Sequence, residues 1–173
     1  MEKHAYLIMA HQQFEQLKKL LLLLDDPRND IYLHIDKKAK DFNQEEFDHL
    51  LKYSKVYYIP RKKVSWGAYS QIETELRLLK AATPNHYLYY HLLSGSDLPL
   101  KTPDYIYNFF EENQGKEFVH FCTLEPSPKI LERISIYHPF QQHANIVFFK
   151  KIKSLTIRIE RQLKTNRLGH CDF

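Results

Sequence analysis

Short apolar runs alternate with segments of helical periodicity along most of this chain, and this alternation constrains the fold more than any other feature. Residues 5–10, 31–35, 55–59 and 86–93 have the length and composition of strands. The segments between them space their apolar residues as on one face of a helix. Since parallel strands need crossover connections of this length, the alternation predicts an α/β domain with a mainly parallel sheet flanked by helices.

Residue pairs of the capping-box type predict where two of these helices begin. In this motif the first residue and the residue three positions later each satisfy a backbone N–H of the other. Asn43 with Glu46 and Ser70 with Glu73 match the motif. The helix near Ser70 is expected to turn three apolar residues toward the core: Ile72, Leu76 and Leu79.

The alternation breaks down in the last third of the chain. Prolines interrupt residues 126–140, and residues 146–163 are expected to form a helix. We therefore expect an α/β domain over residues 1–125, with a fifth strand at 117–122, and an irregular, basic and helical extension over residues 126–173.

This extension carries a strongly basic segment over residues 150–167. Against the single acid Glu160 it holds several basic residues: Lys150, Lys151, Lys153, Arg158, Arg161, Lys164 and Arg167. Such a segment could make a peripheral contact with an anionic membrane surface or bind a phosphorylated ligand. The alternative is the solvated face of a helix that packs on the rest of the protein.

Bulk properties narrow the classes of function. The chain has 173 residues, enough for a domain with a buried core, and its formal net charge of +4 is too mild to indicate a nucleic-acid partner. Cys122 and Cys171 have no metal or redox spacing, so reduced thiols are expected. Neither a signal peptide nor a membrane-spanning run is recognisable.

Small polar residues follow the fourth apolar run directly: Ser94, Gly95, Ser96 and Asp97. In an open α/β sheet, ligands bind beyond the carboxyl ends of the strands. His11 and Asp36 follow two other runs, so these residues should gather at one edge although they are distant in sequence. The alternatives are turn chemistry for residues 94–97, and a salt bridge or turn cap for Asp36.

Trp66 is the only tryptophan, and it lies between a basic loop and a helix start. It could stack on a base or sugar, or it could fill the core. His34 and Asp36 lie on one face of a strand and could share a metal ion, but no further ligand cluster stands out, so no metal site is expected. There is also no glycine-rich phosphate loop and no recognisable nucleophilic triad.

Four segments, in this order, carry a family resemblance: residues 5–11 with Gln16 and Leu17, residues 31–38, residues 64–67 with Ser70 and Leu78–Leu79, and residues 92–101. They resemble the Core-2/I-branching β-1,6-N-acetylglucosaminyltransferase family, which is glycosyltransferase family 14 and includes the peptide O-xylosyltransferases. The resemblance extends over roughly residues 5–122 and fades afterwards.

The resemblance implies a GT-A type fold and an inverting glycosyltransferase that moves a sugar, expected to be N-acetylglucosamine, from a UDP-sugar donor to a hydroxyl of a glycan or other acceptor. It implies that Ala10, His11 and Asp36 surround the uracil and ribose, and that the loop 94–97 lies near the donor sugar and diphosphate. Trp66 and Lys101 fall within the matching segments and complete the expected substrate-binding set. The resemblance also implies that no metal or other cofactor is used, because basic side chains neutralise the diphosphate.

The catalytic carboxylate of this family lies further along the chain, in a Pro-Asp-Glu-like segment. We therefore expect the general base downstream of Phe173, a GT-A domain that is incomplete at its carboxyl end, and an extension that begins the acceptor half. Two alternatives remain: a catalytically incomplete nucleotide-sugar-binding fragment, and a non-enzymatic α/β interaction module. By analogy with bacterial members that build surface polysaccharide, the expected location is the cytoplasm at the inner face of the membrane.

Overall fold

The structure is a computed structural model, and it describes residues 3–118, 127–139, 141 and 146–163. The chain divides into two compact units, Met1–Lys116 and Glu117–Phe173. The domain boundary expected at residues 125–126 lies outside the described residues, and so does most of the strand expected at 117–122.

The first unit is built on a four-stranded parallel sheet with the strand order β3-β2-β1-β4. The strands are β1 (His4–Ala10), β2 (Asn29–Ile35), β3 (Lys55–Tyr58) and β4 (Tyr89–Ser94). The chain proceeds outward from β1 to β3 and then crosses back to place β4 on the other side of β1. The predicted parallel α/β sheet is therefore confirmed, and its strand order reverses between β1 and β4.

Helices pack on both faces of this sheet: α1 (Phe14–Leu23), α2 (Tyr69–Ala82) and α3 (Pro103–Glu112) belong to the same unit. Side chains of β1 alternate between two cores, because successive residues of a strand point to opposite faces. Tyr6 and Ile8 pack with the buried leucines of α1, whereas Ala5 and Leu7 pack with Leu78 of α2. Burial on both faces explains why the strands read as continuous apolar runs.

The orientation of α2 differs from the sequence prediction. Ile72, Leu76 and Leu79 are 52%, 51% and 36% exposed. The buried face is formed by Ser70, Thr74, Leu78 and Ala82. The small residues on that face let the helix approach the sheet closely, and the hydroxyl of Thr74 donates to the Ser70 carbonyl oxygen at 2.8 Å. The predicted inward face was wrong because local hydrogen bonds removed the cost of burying these hydroxyls.

The capping role predicted for Ser70 is also wrong. The helix begins at Tyr69 after Ala68, which makes no side-chain capping bond. Ser70 lies inside the first turn, where its Oγ accepts a hydrogen bond from the backbone N–H of Ser65 at 2.9 Å. The side chain therefore anchors the preceding loop to the helix rather than capping the helix.

The helix predicted after Asn43 is reduced to one 3₁₀ turn, Gln44–Glu46. Asn43 does cap this turn, since its Oδ1 accepts from the N–H of Glu45 at 3.2 Å. The backbone of His49 is left-handed, with φ of 68°, which a continuing right-handed helix does not allow. By contrast, Thr102 caps α3 as its Oγ1 accepts from Tyr105 at 3.3 Å.

The second unit contains α4 (Pro128–Ser135) and α5 (Val147–Leu163). The helix predicted over residues 146–163 is confirmed, whereas α4 was not predicted. Among the residues that the structure describes, no helix is long and apolar enough to cross a membrane.

Candidate functional site

A cavity of about 460 Å³ opens at the carboxyl edge of the sheet, and we call it the strand-edge cavity. Open α/β sheets bind ligands where the strand order reverses, which in this chain is between β1 and β4. Five residues that the sequence analysis selected line it: Ala10, His11, Asp36, Trp66 and Ser94. Residues from the ends of three different strands therefore meet around one space of a size typical for small-molecule sites.

The Asp36 carboxylate accepts hydrogen bonds from the backbone of Lys38 and Val64, and Asp36 also lines the cavity. Its Oδ1 accepts from the N–H of Lys38 at 2.8 Å, and its Oδ2 lies 3.4 Å from the N–H of Val64. The ammonium of Lys38, which also lines the cavity, is 3.6 Å from Oδ2. Each carboxylate oxygen can accept about two hydrogen bonds, so the expected turn cap and salt bridge leave capacity for a ligand.

His34 lies on the floor of the cavity and is 1% exposed. Its Nε2 accepts a hydrogen bond from the backbone N–H of Lys62 at 3.0 Å. Burial lowers the pKa of His34 and so favours the neutral ring that this bond requires, although the Asp36 carboxylate opposes the shift. Nε2 of His34 therefore holds the loop at Lys62 beside the cavity.

The turn after β4 is built by its own side chains. The N–H of Ser94 donates to Oδ2 of Asp97 at 2.8 Å, and the hydroxyls of Ser94 and Ser96 are 2.9 Å apart. Only Ser94 of this turn lines the cavity, whereas Gly95, Ser96 and Asp97 do not. Turn chemistry therefore accounts for Asp97, and the turn presents Ser94 at the cavity.

Trp66 stands at the cavity and is 88% exposed. The loop that carries it is shaped by Gly67, whose φ of 69° is left-handed and whose N–H donates to Oε1 of Gln71 at 2.5 Å. An indole with this exposure does not fill the core, so that alternative is wrong. Its ring is placed where a flat ligand group could stack on it.

Lys101 is not brought to the strand-edge cavity. It precedes α3 and lies in a separate shallow depression with Leu23, Leu100 and Tyr105. Its ammonium lies 4.9 Å from the centre of the Tyr105 ring. The other residues of the expected substrate-binding set lie at the cavity or in the turn beside it.

The sequence analysis missed three polar residues of the cavity: Lys38 after β2, and Gln71 and Glu75 on α2. Glu75 is half-buried and, within the described part of the chain, has no hydrogen-bond or ion-pair partner. The predicted orientation of α2 would have turned Gln71 away from the sheet, whereas Glu75 lies between the predicted and the observed inward faces. The small residues four apart at Ser70 and Thr74 are the sequence signal that could have corrected it.

Comparison with known proteins gives matches to one enzyme family. The family model described as Core-2/I-branching enzyme matches residues 4–159. The chain is 28% identical to xylosyltransferase 2 of Rattus norvegicus over 120 residues, which are 66% of this chain and 14% of the relative. It is 24% identical to the Homo sapiens N-acetyllactosaminide beta-1,6-N-acetylglucosaminyl-transferase over 156 residues, which are 88% of this chain and 39% of the relative.

A third relative, from Sus scrofa, is named a probable beta-1,3-galactosyl-O-glycosyl-glycoprotein beta-1,6-N-acetylglucosaminyltransferase 7. It is 20% identical over 146 residues, which are 82% of this chain and 34% of the relative. The chain thus spans well under half the length of these relatives. The family model nevertheless covers most of the 173 residues, and it begins at the first residue of β1. The chain belongs to the Core-2/I-branching enzyme family.

Proposed function

We propose that the strand-edge cavity binds the nucleotide of a UDP-sugar, and that the chain acts as the donor-binding part of an inverting glycosyltransferase. The observation that carries the proposal is the meeting of Ala10, Asp36 and Ser94, from three strand ends, around one cavity where the strand order reverses. The relatives are named xylosyltransferases and N-acetylglucosaminyltransferases, which supports a UDP-linked xylose or N-acetylglucosamine as the donor.

The cavity offers groups suited to each part of a nucleotide. The Asp36 carboxylate can accept hydrogen bonds from ribose hydroxyls or from the uracil N–H. The exposed ring of Trp66 can stack on a base or sugar. Ser94, at the end of β4, can donate a hydrogen bond from its hydroxyl to the diphosphate or to the sugar that the diphosphate carries.

We propose that no metal ion is needed for the donor to bind. The ammonium of Lys38 lines the cavity, and the residue is exposed, so it can turn from Asp36 toward a diphosphate. In the reaction an acceptor hydroxyl attacks the anomeric carbon and gives its proton to a carboxylate base. The bond from that carbon to the diphosphate oxygen breaks, and UDP leaves with the bonding electrons. Positive charge near the diphosphate stabilises the leaving group.

Calorimetric titration of the whole chain with UDP, in buffer containing EDTA, tests this proposal. We expect saturable binding, and a loss of about tenfold or more in affinity for Asp36→Ala, because hydrogen bonds to a charged group contribute about 1.5–3 kcal/mol. Asp36→Asn keeps an oxygen for the N–H of Lys38 and should fold normally with intermediate affinity.

The matched control is Asp41→Asn, since Asp41 is an exposed acid of the same loop region that does not line the cavity. It should bind UDP as the unchanged protein does. If the folded chain does not bind UDP, with or without EDTA, the proposed function is wrong. If binding appears only when a divalent cation is added, nucleotide binding stands and the metal-free proposal fails.

A further inference from the structure

Helix α5 carries a basic face along one side. Successive residues of a helix are about 100° apart, so positions 150, 151, 154, 158 and 161 share one side. Lys150, Lys151 and Arg158 on this side are exposed, and Arg161 and Ser154 complete it. We call this side of the helix the basic face.

An exposed row of apolar side chains runs directly beside the basic face. Phe148, Leu155, Ile159 and Leu163 are 65%, 59%, 45% and 69% exposed, and their spacing of seven and then four residues keeps them on one side. We call this row the apolar stripe. Exposed apolar surface is unfavourable in water by roughly 25 cal/mol per Å², so a continuous stripe of this length indicates a binding surface.

The remaining side of α5 already has protein neighbours. Phe149, Ile152, Thr156 and Glu160 are only partly exposed, and the Glu160 carboxylate accepts a hydrogen bond from the N–H of Tyr137 at 3.0 Å. The helix is therefore held in its unit by one side. Lys150, Lys151 and Arg158 of the basic face and the side chains of the apolar stripe are exposed on the other sides of the helix.

We propose that α5 lies in the surface of an anionic phospholipid membrane, with the apolar stripe inserted at the acyl boundary and the basic face among the headgroups. The charge pattern favours a membrane over a purely apolar protein surface. Within α5 the only acidic residue is Glu160, whose carboxylate is turned to the Tyr137 backbone, so the exposed charge is entirely positive. A bilayer surface offers negative charge and apolar depth in one plane, which matches the two adjacent sides of this helix.

Co-sedimentation of the whole chain with vesicles tests this proposal. One set contains phosphatidylcholine alone, and in the other about a third of the lipid is phosphatidylglycerol. We expect binding to the anionic vesicles at low salt, about tenfold or more weaker binding to phosphatidylcholine, and a strong loss of binding at high salt. The amount of chain that sediments without vesicles is measured in parallel and subtracted.

Two double variants separate the two sides of the helix. Lys150→Ala with Arg158→Ala should weaken anionic binding about tenfold or more, because each basic residue near such a surface contributes about 1 kcal/mol. Phe148→Ala with Leu155→Ala should weaken it at least as much, because each inserted CH₂ contributes about 0.8 kcal/mol. Circular dichroism of each variant checks that α5 still forms.

The matched control is Lys40→Ala with Lys80→Ala, which removes the same charge from exposed positions outside α5. It should bind anionic vesicles within about twofold of the unchanged chain. The membrane proposal is overturned if this control weakens binding as much as the α5 variants, if the vesicles are not bound, or if the apolar stripe instead mediates lipid-free self-association. The proposal that the strand-edge cavity binds UDP does not depend on any of these results.

Discussion

Gly95 directly follows β4 and lies against Ala10 at the end of β1. Its N–H donates to the carbonyl oxygen of Met9 at 2.8 Å, which extends the pairing of the two strands by one residue. A Cβ atom at this position would lie 2.5 Å from the Cβ of Ala10 and 3.2 Å from its Cα. The absence of a side chain at Gly95 therefore lets Ala10 and Ser94 line the same cavity.

Gly95→Ala should destabilise the protein and weaken UDP binding together. A buried methyl group with no space typically costs about 1–3 kcal/mol, and here the strand ends must move apart to accept it. Urea unfolding measures the first effect and calorimetry the second. Ser96→Ala, in the same turn but exposed, is the control and should change stability by less than about 0.5 kcal/mol. Equal stability of the two variants would contradict the close contact.

His91 makes the stability of the folded protein depend on pH. Its Nε2 lies 3.1 Å from Nδ1 of His4, and its ring stacks on Tyr6. Burial, with a smaller effect of the neighbouring His4, lowers the pKa of His91 to about 4 from an ordinary value near 6.5. The folded protein therefore favours the neutral ring, and the unfolded chain takes up a proton at higher pH than the folded one.

We expect this contribution to stability to be complete above about pH 6.5 and to disappear as the pH falls through about 4. Its full size is about 3 kcal/mol at most. Between about pH 6.5 and pH 4, the free energy of unfolding measured in urea should fall less for His91→Gln than for the unchanged protein. His86→Asn, an exposed left-handed position that asparagine tolerates, should keep the original slope. Parallel pH profiles for all three proteins would contradict the assignment.

At the scale of elements, α2 shows where sequence patterns stop being sufficient. The strands and α1 were predictable because each has one plausible apolar pattern. Helix α2 has apolar residues on two sides, with Ile72 and Leu76 on one and Leu78 on the other. Periodicity favoured the larger set, but the buried side is the one whose small Ser70 and Thr74 fit against the sheet.

Two leucine-to-alanine substitutions on α2 compare these two sides of the helix directly. Leu78→Ala removes a side chain with 0% exposure and should cost about 3 kcal/mol, as in other buried leucine positions. Leu76→Ala, at 51% exposure, should cost less than about 1 kcal/mol. Both leave an alanine in a helix, so helix propensity cancels between them. The opposite order of costs in urea unfolding would show that α2 packs as the sequence pattern first indicated.

At the scale of the whole molecule, the predictable part of the site is the part that follows from topology. Carboxyl ends of parallel strands share one edge, so His11, Asp36 and Ser94 could be placed together without a structure. Gln71 could not, because its position depends on the rotation of α2. Lys101 was selected by family resemblance alone, and no strand end carries it to the cavity.

The two units also differ in what they present. Met1–Lys116 contains the strand-edge cavity, and Glu117–Phe173 contains the basic face and the apolar stripe of α5. A UDP-sugar is water-soluble, whereas α5 is suited to an anionic surface. We therefore propose that donor binding and membrane contact are separable properties of this chain.

The most direct test of the central claim uses Trp66, which is the only tryptophan and faces the strand-edge cavity. Its fluorescence, followed while UDP is added in the presence of EDTA, reports on that cavity alone. We predict a saturable change in emission for the unchanged chain and for Asp41→Asn, shifted to about tenfold or more higher UDP concentration in Asp36→Ala. Emission that stays constant at saturating UDP in the folded protein would contradict nucleotide binding at the carboxyl edge of the sheet.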